Sequence, residues 1–168
     1  MKKHLTFSNI IAALGIMNIL FYFIPAAKIT VNGDIYDTTI NLFTASFGGG
    51  INFDYGGRID SYHLIPCAGL IIAFIFAIIA IILSGLKVKN RLATLLASPF
   101  YITAGTLIGC IMPLLSNTNL NTSLPPQFNF YILGGALTVA SIFCILGLFA
   151  LIDFVGTVAK PKEVQPQL

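Results

Sequence analysis

Four long apolar runs, none of which contains a charged side chain, set the pattern of this sequence. They cover about residues 5–25, 64–86, 92–115 and 130–152. Each run is close to the roughly 20 residues that a helix needs to cross a bilayer core of about 30 Å. The runs lack the alternation of polar and apolar residues that is typical of membrane-barrel strands. The pattern therefore predicts an all-α integral membrane protein built as an antiparallel four-helix transmembrane bundle.

Residues 26–63, between the first two runs, have a different pattern, because β-branched and aromatic residues alternate there with glycine-rich breaks. Asn32-Gly33 suits a two-residue hairpin turn, in which both residues need a positive φ. Residues 35–47 and 51–55 favour strands, and the Gly48–Gly50 triplet separates them. The segment therefore predicts a small antiparallel β-sheet of about four strands in the first outer loop.

The composition agrees with a membrane protein, since 57% of the residues are hydrophobic, 9% are charged and the mean hydropathy is +0.90. Seven of the nine lysines and arginines lie before the first run, between the second and third runs, or after the fourth. These segments face the cytoplasm by the positive-inside rule. We therefore expect a multi-pass protein of a bacterial cell membrane, with both termini cytoplasmic and the β-loop outside. Residues 1–158 form the membrane domain and 159–168 a cytoplasmic tail.

Small residues recur at helical spacing within three of the predicted spans, and one polar residue lies near the middle of the first. Small side chains let neighbouring helix backbones approach closely, and a buried amide seeks a partner on another helix. These positions predict the seams of the bundle; contact with a partner protein is the alternative. The predicted packing residues are Asn18, Gly69, Ala73, Ala77, Gly105, Gly109, Gly134 and Gly135.

The candidate chemistry is sparse. No predicted span has an acidic or basic residue at its centre, which disfavours proton-coupled transport. The three cysteines, Cys67, Cys110 and Cys144, form no CxxC pair and all lie inside predicted spans. His63 lies four residues before Cys67, and Cys110 is at comparable depth, but no carboxylate or second histidine joins them as a metal ligand. We therefore predict no enzymatic activity, no cofactor and no metal.

The outer loop supplies the candidate partner-binding residues Phe47, Phe53 and Tyr55, which lie beside its glycine-rich bends. Aromatic side chains near flexible glycines can provide a large contact area when a partner covers them. The alternative is that these side chains fold down onto the helix ends at the membrane interface, where aromatic residues are common.

The order of four spans, a long first outer loop of β character, a tight basic link (Lys87, Lys89 and Arg91) and a short second outer loop resembles that of the claudin and peripheral-myelin-protein tetraspans. Phe47-Gly48-Gly49-Gly50 occupies a place loosely similar to the family's Gly-Leu-Trp segment, but the family's tryptophan and loop cysteine pair are absent. The resemblance implies a four-helix bundle crowned by a small sheet, with a role in contacts to partners.

Three functions are compatible with this pattern. The first is a non-enzymatic accessory protein that binds another membrane protein through its outer loop and helix seams. The second is an immunity protein that protects the cell against a secreted toxin or bacteriocin. The third is a small transporter or channel subunit, which the uncharged spans disfavour. The expected partners are the lipid bilayer and another membrane or secreted protein; no nucleic acid is expected.

Overall fold

The structure is a computed structural model that describes residues 7–31, 36–54, 57–86, 92–120 and 128–158. Its helices are α1 (Phe7–Leu20), which a 3-10 turn extends to Phe23, the short α2 (Leu42–Phe47), α3 (Ala68–Gly85), α4 (Leu92–Gly109), α5 (Ile111–Leu120) and α6 (Gly134–Val158). Three of these, α3, α4 and α6, are long and apolar enough to cross a membrane, whereas the apolar helix at Phe7–Phe23 is shorter.

The four apolar helices pack in a ring, in which α3 contacts α1 and α4, and α6 contacts α4 and α1. In α3 the residues that face the core are Leu70, Ala73, Ala77, Ala80 and Ser84. Their spacing alternates between three and four residues, as in helices whose side chains interlock at a shallow crossing angle. The predicted stripe at Ala73 and Ala77 therefore lies on the core side of α3.

The strands form two antiparallel sheets at the end of the bundle where α1 ends and where α3 and α6 begin. The strands are β1 (Pro25–Val31), β2 (Tyr36–Asn41), β3 (Gly49–Asp54), β4 (Ile59–Leu64) and β5 (Phe128–Ile132). One sheet has the order β2-β1-β5, and β3 pairs with β4 in a separate hairpin. We call the five strands together with α2 the cap.

Two details of the predicted sheet are wrong. Residues 42–47 were expected to continue a strand, but they form α2, because the Asn41 side chain caps the helix by accepting a 2.7 Å hydrogen bond from the Thr44 amide. The predicted sheet is also divided, because β2 and β3 are not paired and belong to different sheets, and β1 takes β5 as its second neighbour, with Ile29 opposite Phe130. Residues 130–132 therefore belong to the cap and not to the fourth span.

The third apolar run is shorter than expected as a helix. A span was predicted over residues 92–115, but α4 ends at Gly109 and a separate helix, α5, starts at Ile111. Pro113 lies four residues after Gly109, so the hydrogen bond that an amide there would donate to the Gly109 carbonyl is missing. The proline ring also crowds that carbonyl, which accounts for the break.

Candidate functional site

The β3–β4 hairpin is the part of the cap that projects beyond the start of α3. Its strands alternate, with Ile51 and Phe53 buried and Asn52 and Asp54 exposed. Phe53 has 0% of its surface exposed and packs edge-on against Tyr62 with ring centroids 5.8 Å apart. The prediction that Phe53 forms part of an exposed partner-binding surface is therefore wrong. It is a core residue that holds the hairpin to the protein.

The opposite face of the hairpin is polar and held by short hydrogen bonds. The Ser61 hydroxyl donates to Asn52 Oδ1 at 2.8 Å across the two strands. At the turn, the Gly57 amide donates to Asp54 Oδ1, also at 2.8 Å. These bonds order the outward face before any partner is present, which lowers the entropy cost of binding there.

Ile59 is the one large apolar side chain that this face exposes in the described part of the hairpin, with 65% of its surface accessible. In the sequence it stands between Arg58 and Asp60, which form an ion pair with Nε and Oδ1 3.1 Å apart, but Asp60 lies opposite Phe53 and so belongs to the other face of β4. Ile59 begins β4 and Leu64 ends it just before α3, so the two lie about 17 Å apart along the strand. On the outward face Ile59 lies opposite Asp54, and Asn52 lies opposite Ser61, so the exposed apolar residue has polar neighbours, as in a contact centre with a polar rim.

The other two predicted partner-binding residues have different outcomes. Phe47 is 37% exposed and ends α2, where its ring meets Phe74 of α3 edge-on at 5.5 Å. This is the position at the helix ends that the alternative interpretation expected. Tyr55 lies outside the described residues, as does the predicted Asn32-Gly33 turn.

Gly48 joins α2 to β3 and cannot be replaced without strain. Its φ is +78°, in the region that favours glycine. A Cβ built at Gly48 would lie 2.6 Å from the Leu64 carbonyl oxygen, next to Pro66. The Cys67 amide also donates to the Ser46 carbonyl at 2.9 Å. The connection therefore fixes α2 against the start of α3, and it places α2 at the level of the membrane helices.

The predicted packing glycines divide into contacts and open positions. A Cβ at Gly105 would lie 2.6 Å from the Ala140 carbonyl oxygen and 2.6 Å from Cys144 Sγ, so α4 and α6 meet closely there. At Gly109 and Gly134, no neighbouring atom of the described residues lies within 4 Å of such an atom. Those two residues are therefore not contact points between helices, contrary to the prediction.

Gly69 and Gly135 make contacts outside the helix ring. Gly69 faces the side chain of Leu114, at 2.8 Å from a built Cβ, so it joins α3 to α5 and not to another long helix. Gly135 faces the Pro25 carbonyl oxygen, so the start of α6 lies directly against the start of β1. The neighbouring Leu133 amide donates to the Ala26 carbonyl at 2.8 Å. The glycine thus lets α6 join the cap.

Asn18 lies between α1 and α6 with 1% of its surface exposed. Its Nδ2 donates to the Val139 carbonyl oxygen at 3.0 Å, as predicted for an amide that bridges two helices. Its Oδ1 is buried without a hydrogen-bond partner. Beside this bond the two helices line an apolar groove of about 220 Å³, whose walls include Leu14 and Met17 of α1 and Ile145 and Phe149 of α6.

The cysteines and histidine form no metal site within the described ranges, where no three His, Cys, Asp or Glu residues come together. Cys67 is buried at the start of α3, Cys110 is exposed between α4 and α5, and Cys144 is half-buried in α6. Cys110 and Cys144 are free thiols. Cys144 meets the surface of Gly105, so its role is packing in the α4–α6 seam.

Sequence reasoning missed two features of the cap for which the chain carries a signal. The period of two in Ile51-Asn52-Phe53-Asp54 places Phe53 on the same face as Ile51, which marks it as buried. Asn41, followed by Leu42-Phe43-Thr44, has the composition of a helix N-cap. The pairing of β1 with β5 has no local signal, because about 100 residues separate the two strands.

Comparison with known proteins gives no match, either to a family model or to a curated protein.

Proposed function

We propose that this chain is a non-enzymatic protein of the cell membrane that binds another membrane protein through its cap. The observation that carries the proposal is the outward face of the β3–β4 hairpin. There Ile59 is exposed among the polar residues Asn52, Asp54 and Ser61, on a hairpin whose other face is fixed by buried residues. The contact centre that we now propose is Ile59, in place of Phe53.

The composition of the helices favours a scaffold protein over a transporter. The described parts of α1, α3 and α4 contain no Asp, Glu, Lys, Arg or His, and α6 contains only Asp153, far from the cap. Ion-coupled transport needs such a group within the membrane. Two exposed hydroxyls on the helices are also satisfied internally, since Thr106 and Thr138 each donate to the carbonyl four residues earlier, at 2.8 Å. The helix exteriors are therefore suited to lipid.

The proposed topology counts α1, extended to Phe23, as a fourth span that completes a transmembrane bundle. Both termini then lie in the cytoplasm together with the basic link at Lys87, Lys89 and Arg91, and the cap lies outside. The seams at Gly105 and Ala77 are filled by the chain's own helices, so the cap and not the seams is the proposed partner surface.

The test is affinity capture of the tagged protein from native membranes in mild detergent. The Ile59→Glu variant should melt like the parent but lose the captured membrane protein, because a charge replaces the apolar centre of the contact. Thr39→Glu is the control, since it adds the same charge at another exposed strand position, on β2. It should retain the partner. If the parent captures no membrane protein, or if Ile59→Glu captures the same one, the proposal fails.

A further inference from the structure

Three phenylalanine rings form a continuous apolar surface on the outside of the molecule, beside α2. Phe23 stacks on Phe43 with centroids 5.4 Å apart, and Phe43 contacts Phe47 at 4.8 Å. Their exposed fractions are 61%, 42% and 37%. We call these three residues the phenyl patch. An uncovered apolar surface of this kind marks a site of interaction with protein or membrane.

The patch arises from the way in which α2 packs. Leu42, Ala45 and Ser46 are buried against the protein, and the Ser46 hydroxyl donates to the Leu42 carbonyl at 2.7 Å. Phe43 and Phe47 are four residues apart and share the other face. The α2 helix contains no charged residue, and its one other side chain that is not buried is that of Thr44, which is half-buried. The chemistry of this face therefore suits hydrocarbon.

The level of the patch follows from its contacts with two membrane helices. Phe47 meets Phe74, which lies six residues into α3 and therefore about 9 Å along that helix from its first residue. Phe43 meets Phe23 at the end of the extended α1, just after Leu20, which is 63% exposed. The rings thus continue the apolar outer surfaces of α1 and α3 and lie beside the first turns of α3, below the strands.

We propose that the phenyl patch is a lipid-contacting surface of the cap, with Phe23, Phe43 and Phe47 inserted among the acyl chains of the leaflet on the side of the strands. The bilayer is the occupant, because the patch is continuous with the exposed apolar surfaces of α1 and α3 and consists of three hydrocarbon rings. The α2 helix then lies in the membrane interface and holds the cap at a fixed height, which leaves the hairpin free to face outward.

The absence of tryptophan from the chain makes a direct test possible. The full-length variants Phe43→Trp and Phe47→Trp each carry one fluorescent indole within the patch. Ile59→Trp, at the exposed hairpin, is the control. Each variant is reconstituted in phosphatidylcholine vesicles, with and without bromine on the acyl chains near the headgroup, and its fluorescence is measured with and without aqueous iodide. Thermal unfolding selects variants that fold like the parent.

The two patch variants should show blue-shifted emission, lose most of their fluorescence in the brominated vesicles and be insensitive to iodide. The Ile59→Trp control should show the reverse. Quenching of the patch variants by iodide and not by bromine would overturn the proposal, because the patch would then be in water. Insensitivity to both quenchers would also overturn it, since the patch would then be covered by protein.

Discussion

Helix α6 packs against α4 and against α1 in two different ways. Against α4 the contact is between backbones: Gly105 faces the Ala140 carbonyl, and Gly147 of α6 faces the Ser98 carbonyl, 3.0 Å from a built Cβ. Against α1 the contact rests on side chains, with one hydrogen bond from Asn18 to Val139 and a groove beside it. Close packing in a membrane thus depends on where glycine meets backbone.

The difference decides what each seam tolerates. A backbone neighbour cannot move without separating the helices, whereas the end of a side chain can rotate away. Without a hydrophobic driving force in lipid, helices are held by van der Waals contact and hydrogen bonds. The α4–α6 seam should therefore be the more sensitive of the two to added volume, and the α1 contacts should adapt.

The largest effect is expected from Gly105→Ala, compared with Gly109→Ala four residues later in the sequence. Gly105 lies inside α4 and Gly109 is its last residue, so the gain in helix propensity is at least as large at Gly105, and only there does the new methyl group meet backbone atoms. We expect Gly105→Ala to be about 1 to 3 kcal/mol less stable than Gly109→Ala, as in overpacked cores. Unfolding in detergent, followed by circular dichroism against denaturant, measures the difference. Equal stabilities would mean that the α4–α6 contact is looser than described.

A smaller effect is expected from Gly15→Ala in α1. The new Cβ would lie 2.7 Å from both Ile81 Cγ1 and the Tyr101 hydroxyl oxygen, which are ends of side chains. Ile81 can adjust, but Tyr101 is fully buried and stacks on Phe143 at 6.0 Å. We expect a loss of about 1 kcal/mol, below that of Gly105→Ala.

Tyr101→Phe is the second substitution to combine with Gly15→Ala, because it removes the hydroxyl that the new methyl group contacts. In a double-mutant cycle, Gly15→Ala should cost less in the Tyr101→Phe background than in the parent. The same unfolding measurement applies. An unchanged cost would show that the crowding comes from Ile81 alone.

The sequence predicts the helices well and their contacts less well, for physical reasons that Gly105 and Gly109 illustrate. Charge-free runs mark α3, α4 and α6, because length and hydropathy are local properties. The GxxxG spacing places both glycines on one face of α4 but does not say how far the seam extends. Gly109 is the last residue of α4, and no described residue of another helix lies within 4 Å of a Cβ built there. Pro99 lies inside α4 without ending it, so a proline in the sequence does not by itself locate the end of the helix.

In the cap, the sequence predicts most of the strands but not all of their pairing. Strand propensity identifies β1 to β4 approximately, whereas the burial of Phe53 follows from its alternation with Ile51 and not from its aromatic character. The β1–β5 pair could not be predicted from one sequence, since its register depends on a contact between distant segments. The proposed contact residue is therefore Ile59, which its neighbours leave exposed, and not one of the large aromatic residues.

The smallest effect is expected from Asn18→Leu, which changes the α1–α6 contact alone. Leucine removes the hydrogen bond to the Val139 carbonyl, and such bonds average about 0.6 kcal/mol in membranes. It also removes the buried Oδ1 that has no partner, whose desolvation opposes folding. These two effects nearly cancel, so the stability should stay within about 1 kcal/mol of the parent.

Met17→Leu, at an exposed neighbouring position of the same helix, is the control for the substitution itself. Denaturant unfolding in detergent and in lipid bicelles measures both variants. A loss of more than about 2 kcal/mol for Asn18→Leu contradicts the prediction, because one interhelical hydrogen bond reaches at most about 1.7 kcal/mol. Such a loss would mean that Asn18 Oδ1 accepts a hydrogen bond in the membrane, in addition to the bond that Nδ2 donates. Helix α1 would then be held to α6 as firmly as α4 is held to α6.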